Sequence, residues 1–149
     1  MIPAEAPRSG RLPTDPSGQS GDTWSHVQSL DLLRQTAVGR LIHTEGAMPA
    51  VSPTSFVLDP DGAVVVPLPA GSGLATSLED VVVGFQVDRL DEQTLQGWSV
   101  LVIGRSHLLT DPAQLADLRQ EGPQPWGHRA VGSYLRIESE LVTGTRLGF

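Results

Sequence analysis

The chain has 149 residues and a mass of 15.9 kDa, the scale of one ordinary domain of roughly 100–200 residues, which excludes two full-sized domains. Hydrophobic residues make up 39%, charged residues 18%, and the net charge is −7. A sizeable core is therefore expected, global disorder is excluded, and an acidic surface argues against nucleic-acid partners. All ten basic residues are Arg, and Lys, Asn and Cys are absent, which removes disulfides, zinc-thiolate sites, Cys nucleophiles and Schiff-base chemistry.

Residues 1–22 carry Pro3, Pro7, Pro13 and Pro16 among Gly, Ser and scattered charge. Such a stretch cannot offset its ordering entropy by burying apolar surface, so it reads as a disordered tail before a domain spanning 23–149. Its start lacks the apolar run of roughly 7–15 residues that a secretory signal needs. The densest apolar run, Val81-Val82-Val83-Gly84-Phe85, is far short of the roughly 20 residues that span a bilayer. A cytoplasmic protein with no membrane partner is the expectation.

Ser25 is a helix N-cap, followed by Val27, Leu30, Leu33 and Ala37 on one face, with Gly39 as the stop. Arg40 to Thr44 is a short strand closed by the turn Glu45-Gly46. Ala50 to Leu58 is a second strand broken at Pro53, a sign of an edge or a bulge. Asp59-Pro60-Asp61-Gly62 is a turn leading into a strand from Ala63 to Val66. Pro67 to Gly73 reads as loop, then Leu74 to Leu78 as a short helix. Val81 to Val87 is a strand, Asp88 to Gln96 a polar connection, and Trp98 to Leu109 the longest strand. Asp111-Pro112 opens a helix with Leu115 and Leu118 inward. Tyr134 to Ile137 and Leu141 to Leu147 close the chain. Short links and no repeated βαβ unit favour an antiparallel barrel or sandwich with helices over a doubly wound sheet.

The histidines His26, His43, His107 and His128 lack metal-ligand spacing and read as surface or strand-end residues. No metal is expected. Gly97-Trp98-Ser99-Val100-Leu101 lacks the closing Gly of a nucleophile elbow, and its Ser opens a strand rather than a strand-to-helix turn. The acidic pairs Glu79-Asp80, Asp91-Glu92 and Asp59/Asp61 fall in turns, where solvated carboxylates are common. Ala70-Gly71-Ser72-Gly73 is the one loop suited to an anion, because Gly lets successive N–H groups converge. No Arg lies between Arg40 and Arg89 to assist it. The plain alternative for that loop is an ordinary flexible connection. Trp98, Trp126, Phe56 and Phe85 are able to stack on a flat ring, although aromatics this scarce serve the core first.

Read in order, several segments resemble the pyridoxamine 5′-phosphate oxidase-like flavin-binding split-barrel family, especially its small actinobacterial members. They are Val38-Gly39-Arg40-Leu41, Pro49-Ala50-Val51-Ser52-Pro53, Val83 to Asp88 and Gly97 to Gly104. Pro125-Trp126, Arg136-Ile137 and Thr143-Gly144-Thr145-Arg146 continue the match. The resemblance implies a six-stranded antiparallel split β-barrel, mainly β with helices, usually a homodimer. The apolar strand faces and edges that a barrel of this size leaves also call for a second copy, with the closing segment around Trp126 as interface anchor. The resemblance implies FMN as cofactor, or in some branches a deazaflavin coenzyme or haem, at the dimer interface. Carried over, Thr54, Ser55 and Phe56 run beside the ring, Gly71 and Ser72 lie in the phosphate loop, and Trp98 and Ser99 contact the flavin. In small family members an Arg-Thr pair precedes Gly-Ser-Lys; here those positions read Pro67, Leu68, Gly71, Ser72 and Gly73. Both phosphate cations and the Thr hydroxyl are missing.

Two functions follow. One is a flavin-type binding protein, an oxidoreductase whose cofactor carries the electrons while the protein supplies position and electrostatics. The other is a cofactor-free dimeric barrel acting as a binding or interaction module. No residue is assigned as a catalytic acid or base.

Overall fold

The computed structural model describes residues 23–148; the expected tail at 1–22 lies outside them. The elements are β1 (Thr23–Trp24), α1 (His26–Arg34), β2 (Val38–Glu45), β3 (Met48–Ser55), β4 (Val57–Leu58) and β5 (Val64–Pro69). They continue as α2 (Leu74–Ser77), β6 (Val81–Asp91), β7 (Gln96–Leu108), α3 (Pro112–Glu121), β8 (Val131–Ile137) and β9 (Leu141–Leu147). All strand pairs are antiparallel, in the order β3-β2-β6-β7-β8-β5-β4, with β9 on β7 and β1 on β9. This is the split-barrel fold. Seven strands are six residues or longer, one more than the six expected.

Alternation builds the core. On β7, Val100 and Val102 point inward and are fully buried, facing Phe85 and Val87 of β6 and Leu135 and Ile137 of β8. Burying side chains of this size stabilises by roughly 1.5–3 kcal/mol each. Phe56 and Phe85 meet within the core with ring centroids 4.7 Å apart.

Helix α1 starts where expected. Ser25 Oγ accepts from Gln28 N, and the Gln28 side chain accepts from Ser25 N, a reciprocal cap. The helix stops at Arg34, with Gln35 as its cap, so Gly39 is not its end. Gly39 lies inside β2, paired with Thr54. A glycine at this point looks like a stop signal in one dimension, but its cause is a ring in three. Val27 is 67% exposed, so only Leu30 and Leu33 of the expected face pack inward.

Pro53 does not break its strand. β3 runs unbroken from Met48 to Ser55 and ends the sheet path, so a missing N–H is tolerated at the edge. The break comes at Phe56, which turns into the core. β6 and β7 extend the expected strands through the polar residues Asp88 to Asp91 and Gln96 to Gly97, as one long hairpin. Register carries these polar residues as strand because each has a cross-strand partner. Helix α3 has no buried residue. Leu115 and Leu118 are only half-buried.

At the other end of the sheet, Arg136 ties β8 to the Asp59 turn. Its Nε donates to Asp59 Oδ2 at 2.7 Å, and its guanidinium also pairs with Glu138 and Asp61. Burial alone would lower the Arg136 pKa, but the hydrogen bonds and charges of Asp59 and Glu138 outweigh it and raise it.

Candidate functional site

Pro67 to Pro69 are strand, not loop. Pro67 pairs with Tyr134 and Leu68 with Ser133, in the ladder between β5 and β8. The other edge of β5 carries β4 only at Val64 and Val65. Beyond Val65 this edge approaches β3 without pairing to it. Pro53 stands on one lip of that seam and Pro67 and Pro69 on the other. None has an N–H to donate, so a continuous β3–β5 ladder cannot form and the barrel stays split.

A cleft of about 200 Å³ occupies the seam. Ser52 and Thr54 line it from β3, Pro67 to Pro69 from β5, and Ser72 from the loop after β5. Leu41 and Leu74 add apolar wall. Trp126 and Arg129, from the segment between α3 and β8, close the rim. Trp126 is 62% exposed. The Thr54 hydroxyl donates to Ser55 O at 3.0 Å. Ser72 Oγ accepts from Leu74 N at 3.3 Å, which leaves its own O–H free to donate.

Behind Ser52 lies His43. Its Nε2 is 3.4 Å from Ser52 Oγ, and its Nδ1 is buried without a partner. His43 is 4% exposed, so it is neither a surface nor a strand-end histidine. It sits inside β2 on the same face as Leu41, a position that alternation alone fixes once the strand bounds are known.

The expected site residues do not gather at one point in the chain. Thr54 and Ser72 share the cleft. Ser55, one residue along β3, faces the neighbouring concavity, which shares Pro125 and Trp126 with it. Phe56 is committed to Phe85. Gly71 is exposed at φ +75°, in the same loop as Ser72. Trp98 stacks edge-on against Trp24 at 6.3 Å, away from the seam. Ser99 lies on the outer sheet face, where its Oγ accepts from Gln86 Nε2 at 3.2 Å. Gln86 also donates to Asp88 Oδ2 at 2.8 Å, and Arg40 joins both. Of the positions that the resemblance aligns with phosphate partners, Leu68 is 2% exposed and packed in the core, and Gly73 sits at φ +77°. Arg129 was missed in the sequence because it is remote from that loop in chain order.

Among the described residues, no three His, Asp or Glu side chains are grouped to hold a metal ion. No helix among them is long and apolar enough to cross a membrane.

The seam, the hairpin β6–β7 and the closing strands define a class by fold: split β-barrels. The family model described as pyridoxamine 5′-phosphate oxidase matches residues 25–146, and the chain belongs to that family. An uncharacterized protein, Rv0080 of Mycobacterium tuberculosis, is 31% identical over 125 residues, covering 80% of this chain and 81% of its own. The fold is similar to that of an FAD binding protein from Mycobacterium smegmatis, with TM-score 0.70 and 27% identity, covering 86% of this chain and 99% of that one. An FAD and heme binding protein from Mycobacterium smegmatis shares the fold at TM-score 0.63 and 15% identity, covering 84% of this chain and 72% of that one.

Proposed function

We propose that this protein binds a phosphorylated flavin, FMN, at a homodimer interface and serves as an oxidoreductase. The observation that carries the reading is the seam cleft, in which Thr54 and Ser72 stand beside the exposed Trp126. Family membership and a flavin-binding structural relative support it. The cleft's polar residues are hydroxyls and one guanidinium, and its walls are apolar, a lining that suits a flat ring with an anionic tail. The flavin, when bound, supplies hydride and electron chemistry. Thr54 and Ser72 would offer hydroxyl groups to the bound group, and Trp126 would shield it from water.

At about 200 Å³, the cleft is smaller than the roughly 300–1,000 Å³ of ordinary ligand sites. A second protomer completes it. The outer sheet face offers the surface: Val51, Ile42, Gly84, Ile103 and Leu141 are successive cross-strand partners over five strands. Val51 and Leu141 are 59% and 41% exposed. A row of apolar residues on a solvent-facing sheet calls for a covering surface, and a second copy of the chain is self-complementary to it. Ser99 lies on this face, so the residues separated in one protomer act as two halves of one site.

The visible absorption spectrum of the purified protein tests the cofactor. Flavin bands support the proposal; deazaflavin or haem bands assign the cleft to those groups. A protein that is colourless and does not take up added FMN is the cofactor-free binding module. The loss of both family cations at Pro67 and Gly73 favours that second reading.

A further inference from the structure

Resting on the flavin reading, we infer that Arg129 replaces the missing phosphate cations and selects a ligand with a phosphate over one without. The guanidinium reaches the phosphate loop from far along the chain: Nη2 donates to Ala70 O at 3.4 Å, across 59 positions. Backbone contacts hold this placement. Ala70 N donates to the carbonyl of Ala130, the residue after Arg129, at 2.9 Å. Gly132 lets the chain come close to the same loop, since a Cβ there would lie 2.8 Å from Ala70 Cα. Arg129 is therefore anchored through its neighbours while its side chain stays exposed at the cleft rim.

Electrostatics point the same way. Arg129 is the one charged residue lining the seam cleft, and no Asp or Glu lines it. In a chain of net charge −7, an acid-free cleft with a guanidinium at its mouth attracts an anion. Arg34, Arg40, Arg105 and Arg136 are each paired with a carboxylate. Among the described residues no carboxylate lies within ion-pair distance of Arg129. Its single backbone bond leaves guanidinium N–H groups for phosphate oxygens, and the Ser72 hydroxyl stands in the same cleft. The cation lost from the loop is thus supplied by a different segment of chain.

The test titrates FMN and riboflavin separately into wild type, Arg129→Gln and Arg129→Lys, reading flavin fluorescence quenching. Wild type should bind FMN about tenfold or more tighter than riboflavin, the scale of one charge-assisted hydrogen bond. Arg129→Gln should bring FMN down to the riboflavin value and leave riboflavin unchanged, while Arg129→Lys keeps part of the gain. Because Arg129 is exposed, these variants should melt as wild type does. Equal FMN binding by wild type and Arg129→Gln overturns the inference and leaves the flavin reading standing. Equal loss of both ligands in Arg129→Gln also overturns it, by showing an effect on the cleft and not on the phosphate. If wild type binds neither flavin, both the reading and the inference fall.

Discussion

Gly39 of β2 lies directly beneath the ring of Phe85: a Cβ at Gly39 would stand 2.6 Å from Phe85 Cε2 and 2.8 Å from Val87 Cγ1. Phe85 is fully buried and braced by Phe56, so neither side can yield. Gly39→Ala should therefore cost about 1–3 kcal/mol, as overpacking of a filled core does. Gly84→Ala, on the opposite sheet face, is the control, because its nearest neighbour is Ile42 Cβ at 3.4 Å. Urea denaturation of both variants measures the contrast. Equal stability in the two would show that the Phe85 ring moves freely.

Tyr134 joins β8 to the end of α3. Its hydroxyl is within hydrogen-bond distance of Leu118 O at 3.0 Å and of Pro123 O at 3.3 Å. Burial pushes the phenol pKa up from 10.0, and the nearby charge of Arg119 only partly offsets this. A folded-state value raised above the unfolded one means that the folded protein holds the proton more tightly. The associated stability is fully present below pH 10 and is lost as pH rises through the folded value. Tyr134 is the one tyrosine in the chain, so tyrosinate absorbance reports it alone. Its titration should be displaced upward from that of the urea-unfolded chain. Tyr134→Phe should weaken the fold at neutral pH by about 1 kcal/mol and flatten the alkaline loss. An unshifted phenol would refute the assignment.

The apolar row on the outer face predicts a homodimer that persists at micromolar concentration. Light scattering should give twice the 15.9 kDa chain mass. Ile103→Glu, in the middle of the row between Gly84 and Leu141, should give a folded monomer with wild-type circular dichroism. It should also lose FMN affinity by about tenfold or more, because the half-site loses its cover. A wild-type monomer at micromolar concentration, or FMN binding unchanged in a monomeric Ile103→Glu protein, would sink the shared site.

Much of the fold was legible in the chain. Ser25 and Asp111 announce both longer helices because a cap acts on backbone amides three residues away. Asp59-Pro60-Asp61-Gly62 encodes its own turn: Asp59 Oδ1 accepts from Asp61 N and Ala63 N at 2.9 and 3.0 Å. Alternation on β7 places Val100 and Val102 in the core before any contact is known. These are short-range interactions, and short-range signals survive in sequence.

Only the tertiary structure decided the rest. Gly39 is a glycine because of Phe85, 46 positions later, and Pro67 to Pro69 become strand because β8 arrives beside them. β1 has only two residues, Thr23 and Trp24, and exists through its pairing with Thr145 and Gly144. The cleft is visible only once the proline-bearing lips of β3 and β5 face each other, and its cation comes from a third segment. Long-range pairing is set by which surfaces the folded sheet brings together, and no local pattern around Ala70 to Gly73 records that Arg129 will stand beside it.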